Sequence, residues 1–288
     1  MSEGRSLFAA LARGETPPRP PFLPLVEALA ARVAGYDPAA LEADPDRRAR
    51  AVRQATALVG GDALCLGFDP AMAADEGRFA RLADTLVRAF EPARGSLGCV
   101  AALAGPATLA RLTAGDAGKE GLEAARPALT RMTEAVCKTR PDLIVFLEDA
   151  EARGVPVDGA LKRAYAAARK VAAYYDVATA VLADGWEGAA DEVRRLAPLG
   201  LDYAWLGPGA SDADPAAVAG ALGEGNWRGA VLPLPLEDSG RAAALAEITR
   251  RCAGDALVLA LSSAGPLAAD ADLERIMETK TALGALHR

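Results

Sequence analysis

Residues 143 to 152 read LIVFLEDAEA. Five large apolar residues, Leu143 to Leu147, run straight into Glu148 and Asp149, with Glu151 close behind. A continuous apolar run of this length predicts a strand covered on both faces, as in a parallel sheet. The acids at its end need water, a cation or a proton.

Similar runs recur on either side of this one. They predict eight short strands at Phe22–Leu25, Ala63–Phe68, Leu97–Leu103, Leu143–Leu147, Val177–Leu182, Tyr203–Leu206, Ala230–Leu234 and Ala256–Leu261. Helical patterns lie between them. Asp37-Pro38 reads as an N-cap followed by the first helical residue, and Pro45 as a break in the helical run to Leu58. Segment 106–138 reads as two helices divided near Gly115–Gly118. Strand and helix alternating eight times predict a (βα)8 TIM barrel. An open doubly wound sheet is the alternative, but no GxGxxG follows any strand, so a dinucleotide site has no support. Residues 1–20, with Pro17, Pro18 and Pro20, read as an N-terminal arm, and 21–288 as a single barrel domain.

Composition narrows the function classes. The 288 residues carry a net charge of −7, which argues against nucleic acid as a partner. No run approaches the roughly 18–20 apolar residues of a membrane span, and no signal-peptide pattern opens the chain. The expectation is a cytoplasmic protein with a small-molecule ligand. Cys65, Cys99, Cys137 and Cys252 form no CxxC pair and read as structural free thiols. The single histidine, His287, is the penultimate residue, which leaves a Ser-His-Asp or Cys-His mechanism without a base. No lysine falls on a predicted strand, so a Schiff-base mechanism is poorly supported.

Barrel chemistry sits where strands end. The second strand ends in Gly67-Phe68-Asp69-Pro70, the fourth in Glu148-Asp149, the fifth in Asp184-Gly185-Trp186, and the eighth in Ser262-Ser263-Ala264-Gly265. Asp69, Asp149 and Asp184 are the candidate catalytic carboxylates. If two converged, repulsion would raise one pKa and supply a general acid without histidine. Strand alternation lets only one of Glu148 and Asp149 face the mouth. Phe68 and Trp186 are candidate walls for a substrate, and Ser262, Ser263 and Gly265 a candidate anion loop. Arginines such as Arg47-Arg48 read as a solvated helix face, and Tyr165 as a packing residue.

Several of these stretches resemble the uroporphyrinogen decarboxylase superfamily, and within it the cobalamin-dependent methyltransferases. Residues 19–69 are similar to its opening. ALAGPATLARLTAG at 102–115 resembles its Gly-Pro-x-Thr-Leu element, LIVFLEDAEA its strand ending in Asp-x-x-Ala, LGLDYAWLG its sixth strand, and residues 257–283 its closing strand, loop and helix. The resemblance implies a (βα)8 fold and chemistry on a tetrapyrrole such as a porphyrin precursor (as a lyase) or on a methyl group carried by a corrinoid. It implies a homodimer or a corrinoid-carrying protein as partner. It selects Asp149 over Glu148, and gives Asp69 the role of an acid stabilising a protonated pyrrole. The methyltransferases hold zinc with His-x-Cys after the fifth strand and Cys after the eighth. Here those places read VLADGW and LSSAGP, with Leu182 and Asp184 in the first, so zinc is not expected and no metal ligand is assigned. The decarboxylases' arginine loop after the first strand is also missing; only Arg32 stands near. Carboxylate-based, metal-free chemistry is therefore expected, with corrinoid as a substrate rather than a resident cofactor. Two alternatives remain: a decarboxylase or proton-transfer enzyme for a small acid, and a non-catalytic binder of a ligand or partner.

Overall fold

The computed structural model describes residues 3–13, 15, 17, 19–183, 189–210, 212, 214–252 and 258–285. Eight parallel strands form the sheet: β1 Phe22–Leu23, β2 Ala63–Leu66, β3 Gly98–Ala104, β4 Leu143–Glu148, β5 Ala178–Ala183, β6 Tyr203–Leu206, β7 Gly229–Leu234 and β8 Val258–Ser263. Their order is β1-β8-β7-β6-β5-β4-β3-β2. This is a TIM barrel.

The helices follow the strands in alternation. They are α1 Glu3–Arg13, α2 Glu27–Ala34, α3 Pro38–Ala43, α4 Pro45–Val59, α5 Glu76–Ala93, α6 Pro106–Ala114, α7 Lys119–Lys138, α8 Gly159–Tyr174, α9 Ala189–Leu196, α10 Pro215–Gly223, α11 Ser239–Cys252 and α12 Leu273–Ala285. Asp37 and Asp44 each cap a helix with proline at its first position, accepting two backbone N–H bonds apiece. That device, used twice, is what breaks the run at Pro45.

Strand alternation sorts the core into two clusters. In β4, Leu143, Val145 and Leu147 fill the barrel interior, while Ile144 and Phe146 face the helices. Cys65, Val100, Ala102, Ala180, Leu182, Trp205 and Val231 share the interior cluster. Cys65, Cys99 and Cys137 are buried free thiols, and burial pushes Cys99 up to about 12.

Helix α1 closes the floor of the barrel. Phe8 belongs to the interior cluster and is 2% exposed. A Cβ on Gly98, at the entry of β3, would sit 2.4 Å from its ring. Gly98→Ala is therefore expected to cost about 1–3 kcal/mol by overpacking. Phe8→Leu in the same chain should recover part of that loss. Urea midpoints measure both, and an unchanged midpoint for Gly98→Ala would mean that α1 does not seat in the floor.

The seam between β1 and β2 is closed by a side chain. Asp62, just before β2, donates its N–H to Phe22 O at 2.8 Å and accepts the Phe22 N–H on Oδ2 at 2.8 Å. Arg19 grips the same carboxylate with Nη1 and Nη2, at 2.7 and 2.8 Å. The device recurs around the floor. Asp142, before β4, accepts from Cys99 N and from Arg5. Asp202, before β6, accepts from Thr179 N and pairs with Arg228. Each aspartate also donates its own N–H to the preceding strand's residue, at 2.8 to 3.0 Å. The sequence repeats Gly-Asp-Ala-Leu at 254–257, ahead of β8, but those residues lie outside the described ones.

Candidate functional site

The C-terminal ends of the strands surround a small cavity at the barrel mouth, of about 60 Å³. Its walls are mostly apolar: Leu25, Phe68, Leu147, Leu182, Trp205 and Pro266. Phe68 and Trp205 meet with ring centroids 5.3 Å apart and planes tilted by 55°. The described walls leave a small, mostly apolar space that opens outward.

Asp149 stands on this wall. It caps the short 3₁₀ turn Ala150–Gly154 by accepting from Ala152 N at 3.0 Å. Its other oxygen is held by Arg111 of α6, which also pairs with Glu151 at 2.8 Å. The guanidinium and the 3₁₀ cap together leave Asp149 little freedom to turn.

Glu148 also touches the mouth lining, but its carboxylate belongs to the layer behind. The β4 alternation turns it outward from Leu147, and it is 3% exposed. One oxygen accepts from Tyr165 OH at 2.7 Å and Ala107 N at 3.2 Å; the other accepts from Thr108 N and Thr108 Oγ1, both at 2.9 Å. The carboxylate thus sits on the N-terminus of α6, where exposed N–H groups favour negative charge. A Cβ at Gly105 would meet the Glu148 carboxylate carbon at 2.4 Å, so glycine alone permits this approach. Burial pushes the Glu148 carboxyl above its ordinary value, and the Tyr165, Thr108 and Ala107 bonds pull it partly back. Burial and the facing Glu148 also push the Tyr165 hydroxyl well up. Thr108 Oγ1 accepts from Asp149 N at 2.9 Å, so the buried cluster positions the rim acid beside it. Tyr165 packs edge-on against Phe146, but its hydroxyl makes it more than a packing residue.

Asp69 lies elsewhere. It caps the turn Pro70–Ala74 through Ala71 N and pairs with Arg78 at 3.1 Å. It lines an outer cleft of about 360 Å³ between Leu25, that turn and helices α2, α3, α4 and α5. Leu25, Phe68, Pro70 and Pro266 wall both spaces, so the cleft and the mouth are neighbours. Asp69 and Asp149 thus sit in adjoining cavities, each with its own arginine. Asp184 and Trp186 lie outside the described residues.

The loop after β8 is close-knit. Ser263 Oγ accepts from Leu25 N at 2.9 Å and donates to Gly265 O at 2.7 Å. Gly265 has φ +101°, which glycine tolerates, and stands on the mouth wall with Ser263. Ser262 is fully buried, and its hydroxyl has no bonding partner among the described residues.

Arg48 overturns the expectation of a solvated helix face. Arg47 is half exposed and lies over Tyr36, whereas Arg48 is 8% exposed and lines the outer cleft. Its Nη2 bonds Glu27 Oε1 at 2.6 Å. The other Glu27 oxygen accepts from Phe68 N at 2.9 Å, tying the cleft to the mouth aromatic. Arg32 spends Nη1 on the Ala271 carbonyl at 2.8 Å and is exposed.

No protein-family model and no curated protein sequence matches the chain. A solved structure does. A methyltransferase from Methanosarcina mazei superposes with a TM-score of 0.74 at 12% identity, over 100% of both chains. At that identity the likeness is one of fold, over the full length of the barrel.

The resemblance matches Leu182 and Asp184 to the methyltransferases' zinc positions; Leu182 points into the barrel interior, Asp184 lies outside the described residues, and β8 ends in hydroxyls, Ser262 and Ser263, with no thiolate. These residues do not fit a zinc ion held by imidazole and thiolate. Among the described residues, no three His, Cys, Asp or Glu side chains gather in a group that could hold a metal ion. Among them, too, no helix is long and apolar enough to cross a membrane.

Proposed function

We propose that the barrel acts on a one-carbon group, methyl or carboxyl, presented at its mouth, by carboxylate-based chemistry that uses no metal. The small apolar space at the mouth, with a carboxylate on its wall, carries this reading: it admits the reacting group, while a tetrapyrrole or a corrinoid held by a partner protein would lie across the rim. Phe68 and Trp205 supply an apolar wall that excludes water, and Asp149, held by Arg111, supplies the charge. The fold shared with a methyltransferase and the resemblance of the strand-end motifs agree with it.

The test is turnover. The purified protein is mixed with methylcobalamin and a thiol as methyl acceptor, with the corrinoid spectrum followed, and separately with a porphyrinogen, with released carbon dioxide measured. We expect wild type to turn over one of the two, and Asp149→Asn to slow that turnover by about 100-fold, the low end for a positioned acid–base group. No turnover of either would favour the second reading, a non-catalytic ligand-binding barrel. One observation supports that second reading: Asp69, Asp149 and Glu148 already have partners in the folded chain.

A further inference from the structure

The outer cleft holds charges that the one-carbon reading does not use. Arg48 is buried there with one carboxylate, Glu27. Its remaining contact is the Met72 sulfur, 3.6 Å from Nη1 and 3.5 Å from Nη2. A thioether is a weak acceptor, and a buried guanidinium gains far more from a carboxylate. Arg48 and Glu27 balance one for one; at the cleft's outer end the charges do not. Asp69 and Glu42 share Arg78, at 3.1 and 2.7 Å. Three carboxylates thus face two guanidiniums, leaving one negative charge. A dianion such as phosphate would meet that excess. A plain cation would leave Arg48 Nη1 on sulfur. A molecule carrying both signs answers both needs.

We propose that the cleft is a subsite for a small zwitterion of the amino-acid class. Its carboxylate takes the place of the Met72 sulfur on Arg48 Nη1, and its ammonium sits between Asp69 and Glu42. Its apolar end lies on Phe68, Leu25 and Pro266, which also wall the mouth. The volume of about 360 Å³ is within the range of small-ligand pockets. The proposal rests on the one-carbon reading only in making the bound zwitterion its substrate.

Calorimetric titration with three near-isosteric molecules tests it: L-leucine, L-leucinamide and 4-methylpentanoate. L-leucine should bind, and the other two should bind at least about tenfold more weakly, since each leaves one charged group of the cleft without its partner. Asp69→Asn should weaken L-leucine by a similar factor and leave 4-methylpentanoate unchanged. The pair Glu27→Gln with Arg48→Met removes both buried charges together and should abolish L-leucine binding. If that double variant fails to fold, the exposed Asp69→Asn still decides. Equal affinity for L-leucine and 4-methylpentanoate, no heat with L-leucine, or an Asp69→Asn protein that binds L-leucine normally would each overturn the proposal. Binding is read without turnover, so these failures leave the corrinoid and porphyrinogen assay to judge the mouth by itself.

Discussion

Asp62→Ala is expected to lower the stability of the chain by about 3–5 kcal/mol, the usual loss when one member of a buried ion pair is removed. The side chain is 9% exposed and that of its partner Arg19 is 14% exposed. Removing it takes both carboxylate oxygens from the Arg19 guanidinium and leaves the Phe22 N–H wanting an acceptor. The second matters because of where it lies. Strand β1 spans only Phe22–Leu23, and the sheet order places β1 and β2 at its two ends. The Asp62 carboxylate therefore supplies a bond across the seam. Asp62→Asn keeps an acceptor for Phe22 N and loses the charge, so it should cost less. The equivalent aspartates sit in wetter places, at 16% for Asp142 and 24% for Asp202. Screening weakens their pairs, and the losses on alanine substitution should fall in the order Asp62, Asp142, Asp202. Urea unfolding measures all three, with slopes checked for two-state behaviour. A loss below about 1 kcal/mol for Asp62→Ala, or an Asp202→Ala loss as large as it, would contradict the seam role.

The barrel itself was legible in the sequence because its strands are long apolar runs set at regular intervals. Alternation left only one of Glu148 and Asp149 for the mouth without choosing between them, and in the fold, with Leu147 inward, the Glu148 carboxylate turns outward. What could not be read were partners far apart in the chain. Nothing local separates Arg47 from Arg48, yet one is solvated and the other buried, because helix α4 presents only one of them to the cleft. Arg48 meets Glu27, 21 residues away, and Glu148 meets Thr108, 40 away. A signal for the floor did exist. Aspartate directly precedes the apolar runs at Asp62, Asp142 and Asp202, and a charged residue recurring at the same point of a repeated unit has a structural cause. The function was less legible. Asp69 and Asp149 both close strands, but each turns at once into a 3₁₀ cap, and the geometry of those caps sends them into different cavities.

Glu148→Ala should be equally damaging, at about 3–5 kcal/mol, because four donors lose one acceptor group inside the protein. The Thr108 and Tyr165 hydroxyls can reorient, but the Ala107 and Thr108 N–H groups cannot. Glu148→Gln separates shape from charge. One side of the amide still accepts, while its NH₂ must face either Ala107 N or Thr108 N, leaving one backbone donor unmet at about 1–3 kcal/mol. The pH dependence comes from the raised pKa. Burial favours the neutral acid, so this contribution to stability is full below the ordinary value of 4.5 and is lost as pH rises through the higher folded value. Glutamine does not titrate. The penalty of Glu148→Gln should therefore be largest in acid and shrink as the solution is made neutral, read from urea midpoints between those limits. A penalty that grew with pH would mean that the four donors outweigh burial and hold an ionised carboxylate. The same substitution should reach the mouth. Thr108 Oγ1 is shared between Glu148 and the Asp149 N–H, so a loosened Glu148 releases the backbone that aims Asp149. Glu148→Gln should then reduce binding or turnover at the mouth even where, at neutral pH, its cost to stability is small.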